Sequence, residues 1–147
     1  MNHRFKNLPL YNKVMITIVS TLMVCQLLLV PFRFSRVTGV CMEPVIHDKS
    51  VIVGCVLLRD YKAGDIVMFK KDDSYLVKRI AFVGGETVTR NGETLTVPEG
   101  CFYMLGDNSP VSYDSRYWEE PFVPAKDILA KVILPDAKTA APDPAEE

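Results

Sequence analysis

The sequence predicts an all-β domain behind one N-terminal transmembrane helix, and three observations support this prediction. The first is a long apolar segment close to the N-terminus. The second is that the segments after it alternate apolar and polar residues with the period of two that is typical of β-strands. The third is that no later segment has the 3.6-residue periodicity of a long amphipathic helix. A chain of 147 residues has room for one domain beside this helix.

The apolar segment, residues 14–32, is predicted to be the membrane anchor, because about 20 apolar residues span a bilayer as a helix. A removable signal peptide is the alternative, but the segment ends without the small-x-small cleavage site that it needs. We therefore expect an uncleaved anchor behind a cytoplasmic tail over residues 1–13. Arg33 and Arg36 follow the anchor, so the positive-inside preference for this orientation is weak. The basic residues before the anchor are Arg4, Lys6 and Lys13.

Residues 33–135 are predicted to form the β-rich domain, on the extracytoplasmic side of the membrane. A hairpin is predicted over residues 87–97, because Asn91-Gly92 can adopt the positive φ angles of a type I′ turn. Residues 136–147 combine Pro, Ala and acidic residues and are predicted to be a flexible tail. The other predicted strands are rich in Val, Ile, Tyr and Phe, and they are Val51–Leu58, Asp65–Lys70, Tyr75–Val83, Cys101–Leu105 and Ile128–Leu134.

The composition argues against two kinds of partner. The formal net charge is −1, so no general electrostatic field indicates nucleic acid. His3 and His47 are far apart and the cysteines form no CxxC pair, so we expect no metal site. The sequence leaves open whether Cys55 and Cys101 form a disulfide.

A candidate nucleophile lies just after the anchor, in the run Gly39-Val40-Cys41-Met42-Glu43-Pro44. A thiol at Cys41 can attack a carbonyl if a base removes its proton, since the thiolate is the reactive form. Taken alone, a cysteine in an apolar neighbourhood is more often a small buried hydrophobe. A catalytic role for Cys41 therefore requires that the chain also supply a base.

A candidate base, Lys78, lies in the third predicted strand. Side chains alternate between the two faces of a strand, so Lys78 is predicted to share its face with three apolar residues, namely Leu76, Ile80 and Phe82. A lysine among apolar neighbours loses hydration, which disfavours the ammonium form and allows it to act as a general base. The alternative is a lysine of an edge strand with its amine in water. Arg79, on the opposite face, is predicted to be solvated or ion-paired.

The loop over residues 106–116 is rich in groups that form turns and hydrogen bonds. An ordinary surface loop also contains Gly, Asp, Asn, Ser and Pro. Less expected is the pair Asp114 and Arg116, which can clamp the loop as an ion pair. Ser112 can then donate a hydrogen bond to a nearby amine and orient it.

Four motifs that contain these residues, taken in chain order, resemble those of the bacterial type I signal peptidases. These are membrane-bound Ser/Lys endopeptidases that remove signal peptides from exported proteins. The lysine separates the chain from eukaryotic-type relatives, which carry His at that position. The resemblance covers the anchor and roughly residues 36–134. It rests on four motifs: Gly-x-Cys-Met-x-Pro, Gly64-Asp65-Ile66-Val67, Tyr75-Leu76-Val77-Lys78-Arg79-Ile80, and Gly106-Asp107-Asn108 with Ser112-x-Asp114-Ser115-Arg116.

The resemblance implies a compact β-barrel-like peptidase domain on the outer face of the bacterial cell membrane, with no metal or cofactor. It implies that Lys78 is the general base and that Cys41 occupies the nucleophile position. Ser112 would hold the lysine amine. Asp114 and Arg116 would form a structural ion pair beneath the site.

The resemblance also implies the partners, which are signal-peptide-bearing preproteins and the lipid bilayer. Met42 and Pro44 would shape the turn that presents the nucleophile at the substrate-binding surface. Shallow pockets would prefer small residues, typically Ala, at the first and third positions before the cut.

The chain departs from the family pattern at the nucleophile, because the family has serine where this sequence has Cys41. A natural thiol variant, an engineered Ser→Cys change and a lesion in a pseudo-enzyme remain open. A thiol is more acidic than a hydroxyl, so its proton is removed more easily. Sulfur is also larger than oxygen, and a displacement of the attacking atom by about 1 Å lowers the rate of the reaction. We expect a weakened or retuned peptidase. The alternatives are a relative that binds signal peptides but hardly cleaves them, and a specialised pilin or conjugation processing peptidase.

A second departure concerns the oxyanion hole, the group of donors that binds the negative oxygen of the tetrahedral intermediate. Some members have a serine at the position of Gly39, and its hydroxyl assists there. Here the backbone N–H of Cys41 is the expected donor, and the sequence assigns no second one.

Overall fold

The computed structural model describes residues 9–135. The chain divides into two units, Met1–Pro31 and Phe32–Glu147. Most of the predicted cytoplasmic tail, residues 1–8, lies outside the described residues, and so does the whole of the predicted acidic tail over residues 136–147.

The first unit contains one helix, α1, which covers Leu10–Leu29. Its 20 residues are apolar enough to cross a membrane and, at about 1.5 Å per residue, long enough. Its hydroxyl groups bond within the helix, as Thr21 Oγ1 does by donating to Thr17 O at 2.8 Å, so they suit an apolar environment. The helix lies a few residues closer to the N-terminus than the predicted anchor, residues 14–32, and the last residue of that range, Phe32, begins a strand.

Nine strands make up the described part of the second unit. Seven form one antiparallel sheet, in the order β1-β2-β9-β3-β4-β7-β8, and β5 pairs with β6 as a separate hairpin. No ladder joins β1 to β8 within residues 9–135, so the sheet is open at these two edges. The strands are β1 Phe32–Arg36, β2 Val51–Cys55, β3 Ile66–Lys71, β4 Ser74–Val83, β5 Thr87–Arg90, β6 Glu93–Thr96, β7 Cys101–Leu105, β8 Phe122–Pro124 and β9 Ile128–Leu134.

The all-β prediction is confirmed, and each predicted strand is present. The predicted hairpin is also present, with φ angles of 52° at Asn91 and 78° at Gly92. Two strands were not predicted. β1 was missed because its first residue continues the apolar run of the anchor, and β8 because it has three residues and ends at Pro124.

The core lies on both faces of the sheet around β3. Because side chains alternate, Val67 and Phe69 enter one apolar cluster, and Ile66 and Met68 enter another on the opposite face. A third cluster, around Tyr103, lies where the β5–β6 hairpin meets the sheet. The central strands are therefore held rigidly from both sides.

The side chains of strand β4 alternate between the two faces of the sheet, as predicted, only as far as Ile80. The register pairs Ile80 with Met104 but pairs Phe82 with the adjacent residue, Tyr103, so one extra residue forms a β-bulge in β4. Phe82 consequently points to the other face and packs against the Tyr103 ring, with 6.0 Å between the ring centroids. The prediction that Phe82 shares a face with Lys78 is therefore wrong.

Candidate active site

Lys78 lies in an interior strand, because β4 is flanked by β3 and β7. It is opposite Val67 of β3 in the register, and its strand neighbours Leu76 and Ile80 pack in the same apolar cluster as Val67. The residue is 3% exposed. The alternative of an edge-strand lysine with its amine in water is therefore excluded.

The amine of Lys78 has a polar partner in the loop that follows β7. Lys78 Nζ donates to Ser112 Oγ at 2.8 Å, and both groups are buried. An ammonium group only donates, and a neutral amine keeps two N–H donors, so the hydroxyl can accept this bond in both states. The serine therefore holds the amine in either protonation state.

The carboxylate of Asp114 anchors this loop. Arg116 binds it in bidentate fashion, with Nε to Oδ1 at 2.9 Å and Nη2 to Oδ2 at 2.9 Å. The N–H of Gly106 donates to Oδ2 at 3.0 Å. Burial alone would raise the pKa of Asp114, but the hydrogen bonds from Arg116, Gly106 and Ser112 outweigh it and lower the pKa below its ordinary value.

The guanidinium of Arg116 is fixed in turn by the start of the same loop. Its Nη2 donates to the carbonyl of Ser109 at 3.2 Å, and its Nη1 donates to the Ser109 hydroxyl. The hydrogen bond with Asp114 raises the pKa of Arg116, so this ion pair is charged at every pH at which the domain would work. The ion pair between Asp114 and Arg116 is therefore present, and its structural role beneath an active site stays a prediction.

The candidate nucleophile lies in the turn between β1 and β2. Cys41 is half-buried against the cluster formed by Val37, Met42, Ile46, Ile52, Ile66 and Met68. Met42 is completely buried in that cluster, whereas Pro44 is exposed. Their contribution to substrate binding stays a prediction.

Gly106 is the point at which the two halves of the candidate site meet. A Cβ atom at this glycine would be 2.6 Å from the carbonyl oxygen of Cys41 and still closer to the hydroxyl of Ser112. The nucleophile turn and the serine that holds Lys78 therefore pack against the same Cα atom. Lys78 joins them through its hydrogen bond to Ser112, so the arrangement draws on three separate parts of the chain.

Asn108 joins the same two halves, and the sequence did not single it out. Its N–H donates to Cys41 O at 3.0 Å, and its side-chain Nδ2 donates to Val40 O at 3.0 Å. Its own carbonyl accepts from the N–H of Ser112 at 3.0 Å. The only sequence signal was its place inside the Gly106-Asp107-Asn108 motif.

A second buried ion pair was predicted only in part. Arg79 donates to both carboxylate oxygens of Asp107, each at 2.7 Å, and to the carbonyl of Gly64 at 2.7 Å. The side chains of Arg79 and Asp107 are 1% and 4% exposed. Of the two alternatives predicted for Arg79, solvated or ion-paired, the structure therefore shows the ion-paired one. Through these bonds Arg79 ties together three of the four sequence motifs.

The β5–β6 hairpin supports the loop from outside. Arg90 donates to the carbonyls of Arg116 at 2.9 Å and Trp118 at 2.7 Å. This contact joins residues separated by 26 and 28 positions, so no local pattern indicated it.

All four cysteines lie within the described residues, and all four are free thiols. The pairing of Cys55 with Cys101 that the sequence left open is therefore absent from the described structure. Cys41 in particular is not engaged in a disulfide.

Comparison with known proteins gives a consistent result over most of the chain. Residues 10–97 and 93–135 match the model of the family described as signal peptidase, peptidase S26. A protein named signal peptidase I from Bacillus amyloliquefaciens is 27% identical over 139 residues, which cover 70% of this chain and 74% of the relative. The Bacillus licheniformis protein of the same name is 26% identical over 141 residues, with the same coverage.

A shorter and stronger similarity links the chain to the signal peptidase I of Pseudomonas aeruginosa, with 51% identity over 37 residues, or 25% of this chain and 13% of the relative. The family model matches both the helix that can cross a membrane and the β domain that carries Lys78, Ser112 and Asp114. The chain therefore belongs to the signal peptidase family, peptidase S26, whose members are proteases that process signal peptides.

Proposed function

We propose that the chain is a membrane-bound endopeptidase that removes signal peptides from exported preproteins through an acyl-enzyme, with Cys41 as nucleophile and Lys78 as general base. One observation carries the proposal, the buried hydrogen bond from Lys78 Nζ to Ser112 Oγ at 2.8 Å. The serine lies against Gly106, and so does the backbone of Cys41. A protein that only binds peptides does not need a lysine amine held in this way near the turn that carries Cys41.

In the proposed reaction, Lys78 takes the proton from the thiol of Cys41, and the thiolate attacks the carbonyl carbon of the scissile peptide bond. The carbon–nitrogen bond then breaks, and the amine of the mature protein leaves with the proton from Lys78. The signal peptide remains as a thioester on Cys41. Lys78 next removes a proton from water, which attacks the carbonyl carbon of the thioester. The carbon–sulfur bond breaks, Cys41 leaves as a thiolate and takes the proton back from Lys78, and the signal peptide is released as a carboxylic acid that ionises in water.

The charge that develops on the carbonyl oxygen requires a donor at the nucleophile. The backbone N–H of Cys41 is our candidate, and within residues 9–135 it donates to no protein acceptor. Gly39 has a φ angle of 108°, which disfavours a serine at this position. The proposed site therefore depends on a backbone donor where some relatives add a hydroxyl group.

We further propose that cleavage follows small-x-small sites such as Ala-x-Ala and that the β domain is extracytoplasmic, with the N-terminus in the cytoplasm. Helix α1 supports a single-pass anchor, which would keep the domain at the membrane surface where signal peptides end. The basic residues at its N-terminal end favour this orientation only weakly, because Arg33 and Arg36 follow the helix.

The test is cleavage of a preprotein with an Ala-x-Ala site in detergent micelles over a range of pH. We expect the unsubstituted chain to cleave, alkylation of Cys41 to stop it and Lys78→Ala to be inactive. The matched control is Lys126→Ala, which removes an exposed lysine on the short helix Ala125–Asp127 and should cleave normally.

The thiol itself favours a second candidate, a relative that binds signal peptides but hardly cleaves them. Cleavage by Cys41→Ser alone, abolished again by Lys78→Ala in that background, would show that the fold is a signal peptidase disabled at its nucleophile. If neither Cys41 nor Ser at this position supports cleavage at any pH, the proposed activity is wrong.

A further inference from the structure

We propose that Asn108 is a positioning residue that fixes the peptide group carrying the oxyanion-binding N–H of Cys41. This inference rests on the proposed function, because it assigns a role in the same acyl transfer. It starts from the two hydrogen bonds by which Asn108 holds the peptide groups on either side of the nucleophile.

The first bond controls the direction of the donor. Asn108 Nδ2 donates to the carbonyl oxygen of Val40 at 3.0 Å, and the N–H of Glu43 donates to the same oxygen at 3.2 Å from within the turn. The Val40–Cys41 peptide is planar and trans, so its C=O and N–H groups point in opposite directions. A bond that holds the Val40 carbonyl on one side therefore also fixes the direction of the Cys41 N–H on the other side.

The same bond strengthens the donor as well as aiming it. A carbonyl that accepts a hydrogen bond polarises its peptide group, and the N–H of that group becomes a better donor. Gly39 has no side chain that could donate a further hydrogen bond to the oxyanion. Binding of the oxyanion therefore depends mainly on the direction and donor strength of the backbone N–H of Cys41.

The second bond fixes the peptide on the far side of the nucleophile. The N–H of Asn108 donates to the carbonyl oxygen of Cys41 at 3.0 Å. The carbonyl of Asn108 in turn accepts from the N–H groups of Val111 at 3.2 Å and Ser112 at 3.0 Å. Asn108 thus lies between the nucleophile turn and the serine that holds Lys78.

The contribution of the side chain can be separated from that of the backbone. Asn108→Ala removes the bond to Val40 and leaves the backbone bonds to Cys41 and Ser112 in place. Asn108→Asp keeps the shape of the side chain but replaces the donor with a carboxylate oxygen, which the Val40 carbonyl repels. Both variants therefore test the same hydrogen bond.

The experiment measures cleavage kinetics and, separately, the rate at which iodoacetamide alkylates Cys41, followed by mass spectrometry. We expect Asn108→Ala to lower kcat about 10-fold with KM nearly unchanged. This loss is smaller than the roughly 100-fold or more for deletion of an oxyanion donor, because the N–H remains but is misdirected. Alkylation should be unchanged, since it develops no oxyanion.

The matched control is Thr94→Ala, an exposed substitution on β6, for which both rates should stay at the unsubstituted values. If only Cys41→Ser cleaves, kcat is measured in that background and alkylation in the cysteine chain. Should Asn108→Ala fail to fold, Asn108→Asp provides the same comparison.

Two outcomes would overturn the inference alone: an unchanged kcat, or an equal loss in kcat and in alkylation, which would mean that the whole turn has moved. Absence of cleavage by both the unsubstituted chain and Cys41→Ser would instead overturn the proposed function and this inference together. The two failures are therefore distinguishable.

Discussion

At the scale of single residues, the candidate site depends on a position that has no side chain. Gly106 lies between the carbonyl of Cys41 and the hydroxyl of Ser112, and neither neighbour leaves room for a Cβ atom. Its N–H is also bound, to the carboxylate of Asp114. A glycine is required here because three partners approach its backbone at once.

We predict that Gly106→Ala separates the nucleophile turn from the loop that holds Lys78. The added methyl group overpacks the contact with Cys41, so stability should fall by about 1–3 kcal/mol and cleavage by about 100-fold or more. Gly92→Ala is the control, because the hairpin glycine has open space around it and its strain comes only from its φ of 78°. It should lose some stability in thermal unfolding but keep full activity. Normal cleavage by Gly106→Ala would contradict the proposed convergence.

At the scale of elements, one buried ion pair fastens the loop over residues 106–116 to the sheet, and hydrogen bonds fasten the end of the loop to the β5–β6 hairpin. Arg79 reaches from β4 to Asp107, which adjoins the glycine on which the site converges. Arg90 reaches from the β5–β6 hairpin to the carbonyls of Arg116 and Trp118. A loop rich in Gly, Ser and Pro is thereby held to a strand and to a hairpin, which gives a flexible segment a fixed shape.

We predict that removing one partner of the buried Arg79–Asp107 pair costs far more stability than removing an exposed pair. Arg79→Met should lower the free energy of unfolding by about 3–5 kcal/mol, since it leaves Asp107 buried and unpaired. Adding Asp107→Leu should recover part of this loss. Lys62–Asp60, at 3.0 Å with side chains 71% and 81% exposed, is the control, and its removal should leave the free energy of unfolding almost unchanged. Urea unfolding measures all of these, and equal costs for the two pairs would refute the prediction.

At the scale of the whole molecule, residues 9–135 contain one helix able to cross a membrane and one β domain with few buried polar residues. Among the described residues, no buried side-chain nitrogen or oxygen lacks a hydrogen-bond partner. The buried polar groups of the β domain are Lys78, Arg79, Ser112, Asp114 and Ser115. Three of them, Lys78, Ser112 and Asp114, belong to the candidate site, so the stability of the domain is linked to its candidate chemistry.

We predict that acid unfolding of the domain depends on Asp114. Because its pKa is lower in the folded protein than its ordinary value of 3.8, ionised Asp114 adds stability above pH 3.8. That contribution is lost as the pH falls below 3.8 through the lowered, folded-state pKa. Stability measured by denaturant between pH 6 and pH 2 should therefore fall less steeply with acid in Asp114→Asn. The same acid dependence in both proteins would show that Asp114 has no such role.

Much of the fold was predictable because it depends on short-range patterns. The alternation around Lys78 predicted its apolar neighbours Leu76 and Ile80, and Asn91-Gly92 predicted the hairpin. Phe82 was placed on the wrong face because a β-bulge belongs to the pairing of two strands and leaves no mark in one of them.

The sequence by itself determined the two-part organisation, the all-β class and the identity of the chemical groups, since these follow from periodicity, length and side-chain type. Only the tertiary structure decided that the backbone of Cys41 and the hydroxyl of Ser112 meet at Gly106 and that Lys78 binds this hydroxyl. It also decided that Arg79 pairs with Asp107 and that Asn108 holds the turn of Cys41. The physical reason is sequence separation. Asn108 and Val40 are 68 positions apart, and such a contact forms only when strand pairing and burial on both faces of the sheet bring the two segments together.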